Sequence, residues 1–160
     1  MLIGIMSDSH DDMESIIKAV LFFNSKKVEM VLHAGDLVAP FTFEEALGKL
    51  EAPFTGVFGN NDGDRLMLSK KSGERFFDAP YVMEAAGKRL VLMHEPRLVD
   101  ELAESGKFDA IIYGHLHRHE IKKKDGTLII NPGKLARLHK GESTVALLDT
   151  ETMEASIIRL

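Results

Sequence analysis

Seven side chains able to hold a metal ion recur in one pattern: Asp8, His10, Asp36, Asn60, His94, His115 and His117. Each comes just after a short apolar run. Asp8 and His10 follow residues 2–6, Asp36 follows 30–32, and Asn60 follows 54–58. His94 follows residues 90–93, and His115 with His117 follows 111–113. In an open α/β sheet, ligands bind in the crevice beyond the strand ends. Five such ends would carry these donors into one cleft. The chain has no cysteine, which excludes disulfides and thiolate ligands and leaves oxygen and imidazole donors. Seven donors are too many for one tetrahedral zinc. They suit two adjacent ions that share a carboxylate, each with three or four protein ligands plus water. Such a pair, held roughly 3.5–4 Å apart, is the arrangement used for in-line displacement at phosphorus. Mixed carboxylate, imidazole and amide donors suit Mn, Fe, Ni or Zn.

The elements that must position these donors read as strand, loop and helix in repetition, the pattern of a parallel sheet. After the first strand, Met13, Ile16, Ile17, Val20 and Leu21 recur at helical spacing. Thr42 with Glu45 has the form of a capping box opening a helix toward Leu50. Residues 64–75 are polar and irregular, a short helix over the cleft or a loop. Residues 81–85 and 89–93 around Gly87 predict a hairpin, and 98–104 a helix stopped by Gly106. Asp125-Gly126 predicts a two-residue turn between strands. A last strand pair is expected near 144–148 and 155–158. With no internal repeat or linker, residues 1–160 are expected to form a single α/β domain.

Composition narrows the function classes. An apolar fraction of 44% and a charged fraction of 28% are those of a globular protein with a sizeable core. A formal net charge of -5 argues against nucleic acid as a stable partner. No apolar run reaches the length of a membrane span, and the start lacks a secretory leader, so a cytoplasmic protein is expected. Homo-oligomerisation is left open.

Each candidate also has a plainer reading. Asp8 and Asp36 could cap the following helices, and His94 could be a hydrogen-bonded core histidine. His115 and His117 would share one face if they lay in a strand. His33 reads as structural, and His119 and His139 as solvated. Lys122 to Lys124 read as a charged sheet edge, Met30, Met67, Met83 and Met93 as fillers, and Arg97 as an exposed helix-start residue. It is the conjunction of the seven that favours metal binding.

In order, Asp8-x-His10, Gly35-Asp36, Gly59-Asn60-x-Asp62, His94 and Gly114-His115-Leu116-His117 resemble the motif series of the calcineurin-like metallophosphoesterases. The short length and Asn131-Pro132-Gly133 resemble its small bacterial and archaeal phosphodiesterase branch. The resemblance implies a four-layer α-β-β-α sandwich of two mixed sheets and two divalent metal ions per chain. By it, Asp8, His10 and His117 would hold one ion and Asn60, His94 and His115 the other. Asp36 would bridge them and Asp62 would orient the site by hydrogen bonding. Asn60, Asp62 and His94 are the expected catalytic positions. The implied reaction is hydrolysis of a small phosphate ester, a diester before a monoester, by a metal-activated hydroxide. Asn61 stands where phosphatases of the family carry a catalytic His, Glu95 and Pro96 replace the usual Gly-His, and Lys134 replaces a frequent Ser. A second reading is a metal-poor scaffold of the same fold, as in the retromer sorting subunit. The intact donor set argues against it.

Overall fold

The computed structural model describes residues 1–137 and 142–160. In chain order the elements are β1 (Leu2–Met6), α1 (Met13–Lys26), β2 (Met30–His33), α2 (Pro40–Glu45), β3 (Phe54–Val57), α3 (Arg65–Lys71) and β4 (Phe76–Phe77). There follow β5 (Tyr81–Ala85), β6 (Lys88–Leu92), α4 (Val99–Glu104), β7 (Ala110–Ile112), β8 (Glu120–Lys124), β9 (Thr127–Asn131), β10 (Thr144–Asp149) and β11 (Glu154–Arg159).

The strands form two mixed sheets, ordered β11-β10-β1-β2-β3-β4 and β5-β6-β7-β9-β8. β1 to β4 run parallel, as do β6, β7 and β9; β10 and β11 in the first sheet and β5 and β8 in the second pair antiparallel. Alternate side chains face opposite sides of a strand, and in the central strands β1, β2, β7 and β9 both sides are buried. Ile3, Ile5, Leu32 and Val57 meet Leu90, Leu92, Ala110, Ile112 and Ile130 between the sheets. The other face of the first sheet packs Met6, Val31 and Phe54 on Ile16, Val20 and Phe23 of α1 and Leu68 of α3. On the second sheet Val91, Ile111 and Ile129 pack under Val99 and Ala103 of α4. This is the expected four-layer α-β-β-α sandwich, with the short helix α4 on the outer face of the second sheet. Among the described residues no helix is long and apolar enough to cross a membrane.

Two local expectations need correction, on α2 and on α1. α2 begins at Pro40 with Ala39 in the capping position, so Thr42 lies inside the helix. The fixed φ of proline suits a first helical turn, and the Thr42 hydroxyl donates to Asp11 Oδ1 at 2.5 Å instead of capping. A 3₁₀ turn, Leu47–Lys49, completes the path to Leu50. On α1 the buried side is Ile16, Ala19, Val20 and Phe23, while Ile17 and Leu21 are exposed. Residues 64–75 hold a true helix, α3, capped by Asp64, which accepts from the Met67 N–H. β4 was missed because two residues carry no periodicity. The hairpins stand as expected: Asp125 and Gly126 both have positive φ (49° and 85°), as a primed turn requires.

Candidate metal centre

The donors stand on the loops where strands of both sheets end. Asp8 and His10 follow β1, Asp36 follows β2 and Asn60 follows β3, all from the first sheet. His94 follows β6 and His115 with His117 follow β7, from the second. Five of the seven are non-glycine residues held in the left-handed region: Asp8 (φ 52°), His10 (41°), Asp36 (62°), His115 (66°) and His117 (53°). L-residues adopt that conformation only when surroundings enforce it, and such positions cluster at functional sites. His115 and His117 are thus loop residues, and neither Asp8 nor Asp36 caps a helix; Asp12 caps α1.

Two triads result. In the first, His117 Nε2 lies 3.2 Å from Asp8 Oδ1, His10 Nε2 lies 4.0 Å from it, and the two imidazole nitrogens are 3.4 Å apart. In the second, Asn60 Oδ1 lies 2.9 Å from His94 Nε2 and 3.0 Å from His115 Nδ1, with 3.3 Å between the rings' nitrogens. Between them sits one atom. Asp36 Oδ2 is 3.7 Å from His10 Nε2 and 3.3 Å from His94 Nε2.

These spacings suit cations. Nitrogen and oxygen bind such ions at about 2.0–2.2 Å, which puts neighbouring ligands roughly 3–3.5 Å apart. The sharper test is Asp8 Oδ1, a fully buried carboxylate oxygen that no hydrogen-bond donor among the described residues satisfies. An orphaned buried charge is costly, and a cation in the first triad would satisfy it. Burial pushes the Asp8 carboxyl above its usual range, only partly offset by Ser7, His94 and His117. Burial also acts on Asp36, but hydrogen bonds with His94 and Asn61 outweigh it and hold that carboxyl well below the usual range. His94 donates its Nδ1–H to the Ala34 carbonyl at 2.8 Å, which orients the ring so that Nε2 faces Asp36 Oδ2 and Asn60 Oδ1 in the cleft.

A second set of groups holds these donors in place. The Asp62 carboxylate accepts N–H bonds from Asp36, Val38 and Gly59 at 3.1, 2.7 and 2.6 Å. Through them it ties the loop that carries Asp36 to the loop that carries Asn60. Asn61 grips both oxygens of Asp36, through its backbone N–H (2.8 Å) and its amide (2.7 Å). The Gly35 φ of 92° is a turn requirement, but Gly59 and Gly114 are needed for space. A Cβ at Gly59 would overlap Asp36 Oδ1, and one at Gly114 would overlap Ser7 Oγ. Their missing side chains make room for the donors.

Sequence reasoning overlooked several supports. Asn131 donates to the Gly114 carbonyl at 2.9 Å, and the buried Tyr113 hydroxyl donates to Glu120 at 2.8 Å, so the 114–119 loop is pinned at both ends. The Asn131-Pro132-Gly133 motif was the one available signal for this. Away from the triads, Glu95 and Arg97 are bonded to each other (2.6 Å) and His119 is exposed. His139 lies outside the described residues.

The sequence profile of the calcineurin-like phosphoesterase superfamily domain matches residues 1–153. The chain belongs to this superfamily. Among calcineurin-like phosphoesterases, phosphodiesterase MJ0936 of Methanocaldococcus jannaschii is 36% identical, with 96% of each chain aligned. A solved structure described as a novel archaeal phosphodiesterase superposes over the full length of both chains with a TM-score of 0.93 at 36% identity. Vps29 of Chaetomium thermophilum, at 16% identity and a TM-score of 0.73, shares the fold. Calcineurin-like phosphoesterases include proteins named metallophosphoesterases, and the donor geometry here suits that dependence on divalent metal.

Proposed function

We propose that residues 1–160 act as one unit, a phosphodiesterase that holds two divalent ions, of Mn, Ni, Fe or Zn, in the two triads joined by Asp36. The observation that carries this reading is the placement of Asp36 Oδ2 within reach of both His10 and His94. When bound, such a pair acts as a Lewis acid on the phosphoryl oxygens and makes water nucleophilic near neutral pH. Asp8, His10 and His117 would hold one ion, Asn60, His94 and His115 the other. Among the described residues, the cysteine-free cleft offers the Ser7 and Ser9 hydroxyls as side-chain nucleophiles. Both are buried and engaged, with the Ala34 carbonyl and with His33.

Asn61 supports a choice of substrate. Its amide is bonded to Asp36 and cannot donate a proton to a departing alkoxide as imidazole can. Esters whose leaving group is stable as an anion, aryl diesters above all, are therefore favoured over alkyl monoesters. The phosphodiesterase relative at 36% identity supports the same choice. The scaffold reading loses ground because all seven donors are present and gathered.

The test is metal content together with turnover of a panel of aryl and alkyl mono- and diesters. Wild type should hold two ions per chain and cleave bis-aryl diesters fastest. Asp36→Ala should lose both ions, His117→Ala chiefly the first. Two ions retained by Asp36→Ala would refute the bridging role; no diesterase activity with Mn, Ni or Zn would refute the enzyme.

A further inference from the structure

His33 is the last residue of β2, fully buried beside Phe54 and Phe76, with ring centroids 6.3 and 6.2 Å away. A histidine in an aromatic core would ordinarily be replaced by an apolar residue at no loss, unless its nitrogens do something. Here both are engaged. Nδ1 accepts the Gly35 N–H at 3.2 Å, which leaves Nε2 to carry the proton and donate to Ser9 Oγ at 2.9 Å. The Ser9 hydroxyl in turn reaches the Asp36 carbonyl at 3.4 Å.

The partners of this short chain are telling. Ser9 lies between Asp8 and His10, and Gly35 immediately precedes Asp36. The backbones of these two loops already run side by side, Asp8 N–H to the Gly35 carbonyl and His10 N–H to the Asp36 carbonyl, both 3.0 Å. Asp36, Asp8 and His10 all have positive φ, a conformation uncommon for residues other than glycine, so contacts between the loops must help to hold them. His33 ties the two together from beneath. We infer that His33, acting through Ser9 and Gly35, is a positioning residue that sets the distance between Asp36 and the Asp8–His10 pair, and so the affinity of the first triad for its ion.

This inference rests on the metal reading above and is tested apart from turnover. Removing a group that orients metal ligands costs 10–100-fold in affinity. Mn2+ titration of the metal-free chain by calorimetry would compare wild type with Ser9→Ala, His33→Phe and the double variant. Phe fits the aromatic surroundings of His33 but offers neither bond. Each single variant should weaken the tighter or looser of the two binding steps about 10-fold while the other step moves little. The double variant should be no weaker than the worse single one, since both cut one chain of bonds. His33→Gln, whose amide can still donate to Ser9, should recover part of the loss. Unchanged affinity in a folded His33→Phe would overturn the proposal, as would a double variant equal to the product of the singles. Should His33→Phe fail to fold, Ser9→Ala decides alone: unchanged binding overturns it. A wild-type chain that takes up no Mn2+ overturns the metal reading, and this inference with it.

Discussion

At the scale of single residues, the Asp8 carboxylate is the clearest conflict between stability and chemistry. Burial raises its pKa above the ordinary 3.8, so in the metal-free fold the ionised form is destabilising. A raised folded value means that the favourable contribution of the protonated form is complete below 3.8 and is lost as pH rises through the folded value. Above the folded value that relief is gone. Asp8→Asn removes the charge, keeps an oxygen for the His115 N–H and puts an amide donor among the ring nitrogens of His10 and His117. Satisfying one buried polar group contributes about 1 kcal/mol, or roughly 2–4 °C for a domain of this size. The metal-free variant should therefore melt higher than metal-free wild type at pH 7, and its stability should respond less to acid. Equal melting temperatures at pH 7 would show that Asp8 is not strained. The identity of Asp8 was legible in the sequence, since carboxylate and imidazole after an apolar run is a local pattern. Its orphaned oxygen was not, because that depends on His10 and His117, the latter more than a hundred residues away.

Among the elements, strands were easier to read than the turns between them. Central strands buried on both faces are continuous apolar runs, visible as residues 2–6 or 110–112. The loops were opaque because their shape comes from the neighbouring loop. His10 N–H bonds the Asp36 carbonyl and Asp11 N–H the Leu37 carbonyl, pairings between distant parts of the chain. The start of α1 shows how an element and a loop share one side chain. Asp12 caps the helix through the Ser15 N–H and also accepts the Arg137 N–H, tying in the segment after β9. Burial would raise its pKa, but the bonds from Arg137 and Ser15 outweigh that and lower it. A depressed folded value gives stability that is present above 3.8 and lost as pH falls through the folded value. Asp12→Ala should cost about 1 kcal/mol at pH 7, the usual effect of losing a cap. Asp12→Asn should retain most of the cap yet lose less stability between pH 5 and pH 2 than wild type. Urea midpoints at both pH values measure this, and an Asp12→Ala midpoint equal to wild type would show that the cap is idle.

For the molecule as a whole, each triad takes residues from both sheets: Asp8 and His10 with His117, Asn60 with His94 and His115. The core between the sheets holds them face to face through apolar side chains, and the cleft lies at one edge of that interface. Ions bound in the triads would clasp the sheets where the apolar packing ends. An unfolded chain cannot gather donors spread from residue 8 to residue 117, so metal should bind the folded state almost exclusively. Mass action then fixes the size of the effect. At a free Mn2+ concentration about 100 times the dissociation constant, the folded state gains about 2.7 kcal/mol, roughly 5–10 °C in melting temperature. The shift should grow with the logarithm of Mn2+ concentration, vanish with a chelator, and largely disappear in Asp36→Ala. His94→Ala and His117→Ala should each retain a smaller shift, since each leaves one triad whole. Hydrogen exchange would locate the clasp: Mn2+ should slow the loops after β1 and β7 together, although they belong to different sheets. A thermal shift in Asp36→Ala as large as in wild type would place the stabilising ions somewhere other than between the sheets.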